Sequence, residues 1–481
     1  MSERLRPRDV ALLAEESPSA PRHNATVEIF EVGSSGFDYA RLVQLVQERI
    51  SFVPRYRQRI QAVPGRIANP VWVDDENFDI GYHVRRSALP RPGTVEQLRE
   101  LVSRIVSRPL DRNRPLWEIY VVEGLADGQV ALLSKSHQVL VDGIETVDLG
   151  QVLLDQSPET KELGADAWRA RGRPSPFTLM AGALRDSVTQ PDTVVDTVRS
   201  TTGSVLRAAS TGFRTAGQVV DALANRRPSP DSPIIGPLSQ QRRVVTVRTD
   251  LAAHRKVREA HGGSVNDVVL ATITGALRAW LMTRGESMRG IRQVRALVPV
   301  SVIDEELEAT SMGSQVTAHF VDLPVWEPNP VVRLHQVSYS FQAHKEGGRG
   351  VAAARLASLS GFAPATFHAL GSRVAAAERR SYGLCITNVP GPQVPLYAAG
   401  ARMVATYPVP PLHEGHPIAI GVTSYDGFVY YGITADRDMI ADADLLGPCL
   451  QEALDELVDS ASSGRGRAPR GRKKRKPTET S

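Results

Sequence analysis

Residues 134–145 read SKSHQVLVDGIE and place His137 five residues before an Asp-Gly pair. The preceding runs LWEIYVVEGL and QVALLSKSH are rich in β-forming residues and flank a short turn at residues 126–128. This pattern predicts a β-hairpin that ends at His137. The following run, IETVDLGQVLLD, is typical of a helix. The stretch therefore lies where a strand ends and a helix begins, a position at which rigid scaffolds present reactive groups.

The side chains of this stretch are suited to proton transfer. An imidazole held at a strand end can act as a general base near neutral pH, which makes His137 a candidate catalytic residue. Asp142 can orient an imidazole or fix the loop through an arginine, and Gly143 lets the backbone turn away. Gln138 offers a carboxamide, which forms hydrogen bonds but takes up no proton at neutral pH. The spacing alone does not separate a catalytic histidine from a structural one.

Both halves of the chain mix strands with helices. In the first half, residues 26–32 alternate like a strand, and residues 94–105 have helical spacing with a capping box at Thr94 and Gln97. In the second half, SVNDVVLATITGALRAWL (residues 264–281) predicts a long helix capped by Ser264 or Asn266. Strands are predicted for RRVVTVRTDL, VRALVPVSV, SQVTAHFVDLPV and LCITNVPGP, and a hairpin for residues 417–436. The pattern predicts an α+β protein with two lobes.

The segment between the two lobes has a different composition. From about residue 157 the chain is polar and rich in glycine and proline, and residues 193–223 then carry apolar residues at helical spacing. This helix either packs across the lobes or lies on a surface and contacts lipid. The predicted organisation is an N-terminal lobe over residues 1–157, a helical linker over 158–240, a C-terminal lobe over 241–460 and a disordered basic tail over 461–481.

The composition excludes several classes of protein. The chain of 481 residues is 42% hydrophobic and 23% charged, as soluble globular proteins are. Its two cysteines, Cys385 and Cys449, give neither a disulfide framework nor metal-ligand spacing, so we expect a reducing cytosol and no metal. The N-terminus has no signal peptide pattern, and no uncharged apolar run is long enough to span a membrane. Any membrane contact is therefore expected to be peripheral.

The basic character of the chain is concentrated at its end. Residues 465–476 contain eight of the 57 basic residues, and without this run the acidic residues slightly outnumber the basic ones. Such a run binds anionic surfaces or serves as a solvated tail. Because the body of the protein has no net positive charge, nucleic acid is not an expected partner.

Several segments together resemble one family. The chain is similar to the bacterial wax ester synthase/diacylglycerol acyltransferase family, relatives of chloramphenicol acetyltransferase and of peptide synthetase condensation domains. That superfamily carries the motif His-His-x-x-x-Asp-Gly, and alignment on Asp142 and Gly143 puts its first histidine at His137 and its second at Gln138. The other matching segments are RPRDVALLAEESPSAPRH (residues 6–23), PLWE (115–118), SVND (264–267), LVPVS (297–301) and NVPGP (388–392).

The resemblance implies a fold and a reaction. It implies two chloramphenicol-acetyltransferase-like lobes that form a tunnel, each with a mixed sheet and helices. A fatty acyl group passes directly from acyl-CoA to the hydroxyl of diacylglycerol or a long-chain alcohol, giving triacylglycerol or wax ester. The second histidine of the motif takes the alcohol proton, while the thioester oxygen gains charge and needs hydrogen-bond donors. Acyl-CoA is a substrate, and no cofactor is expected.

The same resemblance assigns site residues. The catalytic set comprises His137, Gln138, Asp142 and Gly143; the substrate-binding set Asn266 and Asn388; and the structural motifs Pro115, Leu116, Trp117, Pro390 and Gly391. Each set has a simpler interpretation: an ion pair for the aspartate, a helix cap and a turn for the two asparagines, and core packing for the Pro-Leu-Trp run. The expected location is the cytoplasm, at the periphery of the inner membrane or of lipid bodies.

The chain departs from the family at the proton-accepting position. Loss of a general base costs roughly 10²–10⁴ in rate, although positioning of two substrates still supplies much of the catalysis. Gln138 could orient the acceptor hydroxyl and leave slow activity, or His137 could replace the missing base. The second alternative is disfavoured because neighbouring residues of an extended segment point to opposite faces. The protein could instead be an impaired member that only binds lipid or acyl-CoA. A condensation-type amide synthase is disfavoured because no carrier or adenylation domain is present.

Overall fold

The protein consists of two six-stranded sheets with helices around them. The computed structural model describes residues 3–463 apart from 34–36, 141–148, 160–167, 190–233, 287–293, 302–315, 346–363 and 378–381. Asp142, Gly143, the helix predicted over 193–223 and the basic run from Arg465 lie outside the described residues. The described elements confirm the predicted α+β architecture.

The N-terminal sheet has the strand order β11-β12-β1-β6-β5-β4. Its central strands β1 and β6 pair antiparallel along their length, so that His23 lies opposite His137. The strands of this sheet are β1 His23–Glu31, β4 Val84–Ala88, β5 Trp117–Glu123, β6 Val130–His137, β11 Tyr397–Ala398 and β12 Ala401–Val409. A separate two-stranded sheet comprises β2 Gln58–Gln61 and β3 Val71–Asp74.

The C-terminal sheet has the strand order β7-β14-β13-β10-β8-β9. Strand β10 runs parallel to both neighbours, β13 and β8, so the carboxyl ends of these three strands meet at one edge. The strands of this sheet are β7 Arg242–Asp250, β8 Val294–Ser301, β9 Val316–Leu323, β10 Leu384–Pro390, β13 Ile418–Tyr425 and β14 Phe428–Asp436.

The helices cover the faces of the two sheets and fill the space between them. The described helices are α1 Pro7–Glu15, α2 Tyr39–Arg49, α3 Ile80–His83, α4 Val95–Val106, α5 Leu149–Leu153, α6 Pro176–Thr189, α7 Leu251–His261, α8 Val265–Thr283, α9 Pro330–Lys345, α10 Pro364–Ala377 and α11 Leu446–Ser463. Helix α8 is long and apolar enough to cross a membrane, but it is mostly buried inside the protein, as a core helix is.

The local sequence signals are confirmed. Thr94 and Gln97 form the predicted capping box of α4. Ser264, rather than Asn266, caps α8, in a second capping box with Asp267. The two predicted hairpins turn at Asp-Gly pairs in the left-handed region, where aspartate and glycine are tolerated better than other residues. Asp127 has a φ of 58° in the first hairpin, and Asp426 has a φ of 43° in the second.

The topology adds a feature that the predicted division into lobes did not include. Residues 397–409 lie within the predicted C-terminal lobe, but β11 and β12 belong to the N-terminal sheet, where β12 pairs with the free edge of β1. The crossing strand packs closely on the other lobe, since a Cβ at Gly432 would lie 1.6 Å from the carbonyl oxygen of Pro408. The two lobes are therefore joined by an exchanged strand as well as by the linker.

Side chains of α4 and α10 also cross between the lobes. Arg99 of α4 donates a hydrogen bond from Nε to the Thr246 hydroxyl of β7 at 2.8 Å. The hydroxyl of Ser103 accepts the backbone N–H of Val244 at 2.9 Å. Helix α10 packs on β8, β9 and β10 and also on β1 and the turn after β6. The end of β6 therefore lies at the interface between the two lobes.

Candidate active site

Gln138 is fully buried directly after the end of β6. It begins a 3₁₀ turn, Gln138–Leu140. Its backbone N–H donates to the carbonyl of Arg22 at 2.9 Å, and its carbonyl accepts from Arg373 Nη1 at 3.2 Å. The side-chain atoms Oε1 and Nε2 have no hydrogen-bond partner among the described residues. Because buried amides are nearly always paired, the carboxamide of Gln138 is a candidate for contact with a ligand.

The backbone of Gln138 is held by two arginines that themselves connect distant parts of the chain. Arg373 of α10 donates from Nη2 to the buried carboxylate of Asp9 on α1 at 2.5 Å. The guanidinium of Arg22 lies 2.8 Å from Nδ1 of His413, which follows the exchanged strand β12. The position of residue 138 thus depends on contacts between the two lobes.

His137 faces a different set of groups. Its Nδ1 accepts the backbone N–H of Val139 at 3.0 Å, and its Nε2 lies 3.6 Å from Oε2 of Glu16. Burial lowers the pKa of His137, although Glu16 opposes this shift. The neutral ring therefore carries its proton on Nε2, next to a carboxylate. Neither nitrogen presents a free lone pair, so this geometry argues against His137 as a replacement base.

Glu16 has a buried side chain and is the centre of an ionic cluster that includes the half-exposed Arg112. Its Oε2 accepts from Arg112 Nη2 at 2.5 Å, and its Oε1 accepts the backbone N–H of Arg22 at 3.1 Å. Burial by itself raises the pKa of Glu16, but the contacts with His137, Arg112 and Arg22 outweigh it and hold this pKa well below its ordinary value of 4.5. The cluster fixes the imidazole of His137 and the chain that leads to Arg22.

Replacing Glu16 by glutamine is expected to lower the free energy of unfolding at pH 7 by about 1–3 kcal/mol, because a charged partner of buried groups is lost. A lowered folded-state pKa means that ionised Glu16 contributes stability above pH 4.5, and that this contribution is lost as the pH falls further. Urea unfolding between pH 2 and 7 should therefore show a shallower acid loss, below about pH 4.5, for Glu16→Gln than for the wild type. The half-exposed neighbour Glu15 supplies the control, and Glu15→Gln should leave both quantities nearly unchanged. Parallel pH profiles for wild type and Glu16→Gln would contradict this assignment.

The Pro-Leu-Trp motif packs beneath the end of β6. Leu116 and Trp117 are fully buried, and the carbonyl of Leu116 accepts the N–H of His137 at 2.9 Å. The indole of Trp117 stacks on His83 with 4.5 Å between ring centroids and donates to the carbonyl of Tyr56 at 2.8 Å. Pro115, also buried, precedes this pair. These residues thus set the position of His137 through the backbone.

The two candidate substrate-binding asparagines meet at the carboxyl end of β10. Nδ2 of Asn388 donates to Oδ1 of Asn266 at 2.9 Å, and Nδ2 of Asn266 has no partner in the described part of the chain. Pro390 ends β10, and Gly391 follows where a Cβ would lie 2.3 Å from the carbonyl oxygen of Ser424. Only glycine fits this close approach. The amide pair is therefore held at a fixed edge of the C-terminal sheet.

Sequence reasoning missed Glu16, Arg112 and Arg373, which lie far from His137 along the chain. In the sequence, residues 6–23 stand out only by their resemblance to the family, whereas in the structure they supply Glu16 and the carbonyl of Arg22. The placement of Asp142 and Gly143 relative to Gln138 stays a prediction. Among the described residues, no group of three or more histidine, cysteine, aspartate or glutamate side chains could hold a metal ion.

Comparisons with known proteins agree on one family. Residues 5–269 match the wax ester synthase/diacylglycerol acyltransferase catalytic domain, and residues 312–458 match the C-terminal domain of the same family. A protein of Mycobacterium tuberculosis named "Probable diacyglycerol O-acyltransferase tgs1" is 33% identical, over 88% of this chain and 88% of its own length. A second, named tgs2, is 31% identical, over 94% of this chain and 98% of its own length.

Solved structures share the two-lobed fold. The wax ester synthase/diacylglycerol acyltransferase from Marinobacter aquaeolei VT8 superposes with a TM-score of 0.66 at 25% identity, covering 95% of this chain and 100% of that one. The first condensation domain of the calcium-dependent antibiotic synthetase superposes with a TM-score of 0.56 at 15% identity, covering 96% and 97% of the two chains. At 15% identity, the similarity to the condensation domain shows a shared fold alone.

Proposed function

The chain belongs to the wax ester synthase/diacylglycerol acyltransferase family, and from this premise we propose that it transfers a fatty acyl group from acyl-CoA to an alcohol. The acceptor is diacylglycerol or a long-chain alcohol. The alcohol oxygen attacks the thioester carbon, the carbon–sulfur bond breaks, and the alcohol proton ends on the thiol of CoA. The products are triacylglycerol or wax ester together with CoA.

The observation that supports this function in the chain itself is the carboxamide of Gln138. It is buried, unpartnered among the described residues, and held at the position where the family motif has its proton-accepting histidine. A carboxamide can accept a hydrogen bond from the acceptor hydroxyl and donate one to a developing oxyanion, but it cannot take the proton. Gln138 therefore orients the reactants, and slow turnover comes mainly from their alignment.

The direct test is acyl transfer by the purified full-length protein. Long-chain acyl-CoA is supplied with either dioleoylglycerol or hexadecanol in mixed micelles, and both CoA release and ester formation are followed. We expect ester and CoA to appear in equal amounts with at least one acceptor. Release of CoA without ester would indicate thioester hydrolysis and contradict the proposed function.

A second candidate function is supported by the same residue. Since Gln138 cannot accept a proton, the protein could bind acyl-CoA or neutral lipid without turning it over. This alternative predicts saturable acyl-CoA binding and no ester with either acceptor, even at high enzyme concentration. The transfer assay and an acyl-CoA binding titration together distinguish the two candidates.

We propose that the protein works in the cytoplasm at the surface of the inner membrane or of lipid bodies, where its lipid acceptor is found. The support is the basic run over residues 465–476, which lies outside the described residues. Each lysine or arginine near an anionic leaflet contributes about 1 kcal/mol to binding at low ionic strength.

Removal of residues 464–481 should therefore weaken sedimentation with anionic phosphatidylglycerol vesicles, most strongly at low salt, because the basic run supplies the attraction. Turnover in detergent micelles should stay unchanged, since the removed residues follow the stretch that matches the family. Neutral phosphatidylcholine vesicles supply the control. Equal binding of the full and shortened chains to anionic vesicles would refute the role of the tail.

A further inference from the structure

Helix α10 carries two buried polar atoms that the mechanism above does not use. His368 is 4% exposed and Ser372 is 1% exposed. The imidazole Nε2 of His368 and the hydroxyl of Ser372 have no hydrogen-bond partner among the described residues. Residues four apart on a helix lie on the same face, about 5–6 Å apart at Cβ. The two groups therefore form one polar patch, which we call the α10 patch.

The α10 patch faces β10 and adjoins the helix position that contacts Gln138. Nδ1 of His368 is 2.6 Å from the hydroxyl of Thr387. Asn388, the next residue of β10, points to the opposite face of the sheet, where it pairs with Asn266. Arg373 follows Ser372 directly on α10 and binds the carbonyl of Gln138. The carboxyl ends of β8, β10 and β13 meet here, which is the edge at which open α/β sheets bind ligands.

The patch can donate two hydrogen bonds. Burial lowers the pKa of His368 to about 3, so its ring is neutral at pH 7. When the hydroxyl of Thr387 donates to Nδ1, the ring hydrogen is on Nε2 and is available to a ligand, as is the hydroxyl hydrogen of Ser372. Unpaired buried donors are costly, so a ligand that supplies acceptor oxygens here binds better than one that covers the patch with hydrocarbon.

The two classes of acceptor alcohol differ in the number of oxygen atoms that can accept these hydrogen bonds. A long-chain alcohol has a single oxygen, and that oxygen must sit at Gln138 to react. A diacylglycerol has, besides its reacting hydroxyl, two ester carbonyl oxygens within a few bonds of it. We propose that His368 and Ser372 bind these carbonyl oxygens and make the site selective for diacylglycerol over long-chain alcohols. This inference rests on the proposed function and specifies its acceptor.

The test compares kcat/KM for dioleoylglycerol with kcat/KM for hexadecanol in the same mixed micelles. His368→Leu and Ser372→Ala should each lower the ratio of the two values, by roughly 10–100-fold for His368→Leu, while transfer to hexadecanol stays the same or rises. A ratio is informative because loss of folded protein lowers both values equally. If His368→Leu does not fold, Ser372→Ala and Thr387→Val decide the question.

His254 offers a matched control in the same lobe. It is also fully buried, but both of its nitrogens have partners, the carbonyl of Asp250 at 3.0 Å and the hydroxyl of Tyr431 at 2.8 Å. His254→Leu should reduce stability and leave the acceptor ratio unchanged. A ratio within threefold of the wild type in His368→Leu and Ser372→Ala overturns the inference, as does an equal shift in His254→Leu.

A binding measurement separates this inference from the proposed function. If the wild type transfers to neither acceptor, the proposed function fails, but the affinities for 1,2-dioctanoylglycerol and 1-dodecanol can still be measured by calorimetry. His368→Leu should then weaken binding of the glycerolipid relative to the alcohol by a similar factor. Unchanged relative affinity would refute the assignment of the α10 patch.

Discussion

Gln138→His should raise the turnover number by up to roughly 10²–10⁴, because it returns a general base to a site that otherwise aligns its reactants. The side chain is fully buried, and its backbone is held at both the N–H and the carbonyl, so a ring of similar size enters a fixed position. The affinity for acyl-CoA should change little, since the imidazole acts mainly in the transition state. Steady-state kinetics with dioleoylglycerol and a separate acyl-CoA titration measure the two quantities.

Two further variants distinguish an orienting role of Gln138 from a role of His137 as the general base. Gln138→Met, which keeps the shape but removes the hydrogen bonds, should lower the residual activity of the native site. His137→Ala should act mainly through stability, because both nitrogens of His137 face fixed groups. If His137→Ala instead abolished activity and Gln138→His gave no gain, His137 would be the working base. An inactive Gln138→His protein that still binds acyl-CoA would favour the non-catalytic function.

Arg373→Ala should lower both turnover and stability. The substitution leaves the buried carboxylate of Asp9 without its guanidinium partner, and breaking such a pair costs roughly 3–5 kcal/mol of unfolding free energy. It also frees the carbonyl of Gln138, and a displacement of about 1 Å at a reacting position can cost 10²-fold in rate. Thermal unfolding and kcat, measured with saturating acyl-CoA, should both fall.

The conservative variant and a second arginine separate the two effects. Arg373→Lys keeps a charge near Asp9 but loses the planar guanidinium, so its stability should recover more than its turnover. Arg99 also crosses between the lobes, but its Nε donates to the hydroxyl of Thr246 on β7 and not to the turn at Gln138. Arg99→Ala should lower stability modestly and leave kcat unchanged. A normal kcat in Arg373→Ala would show that Arg22 alone holds the turn at Gln138.

The features predicted correctly from the sequence are those with short-range causes. The capping box at Thr94 depends on a side chain three residues away, and the helix cap, narrowed by the sequence to Ser264 or Asn266, is also local. The hairpin at Asp426 depends on two adjacent residues that tolerate a positive φ. Apolar alternation predicted β1 and β7 because this pattern, too, lies within each strand. The resemblance of ordered motifs then provided the family and the reaction, which local patterns could not.

The remaining features depend on partners that are distant in the chain. Nothing in the residues around β12 indicates that its partner is β1, because an antiparallel strand carries the same alternation whichever sheet it joins. Glu16 and Arg373 could not be assigned to the site for a similar reason, since their contacts with His137 and Gln138 exist only after the two lobes meet. The polar residues of α10 have no distinctive pattern in the sequence, because only their burial in the folded protein sets them apart.

Because β12 comes late in the chain, one edge of β1 stays unpaired during much of the synthesis of the protein. Strand β1 emerges early from the ribosome, but β12, which covers its second edge, follows roughly 270 residues after the end of β6. At about 5–20 residues per second, that edge waits approximately 14–54 s for its partner. An open strand edge invites pairing with other chains throughout this interval. Rapid production of the protein at high temperature should therefore favour aggregation of nascent chains, whereas slower translation or a chaperone that covers β1 should raise the soluble yield.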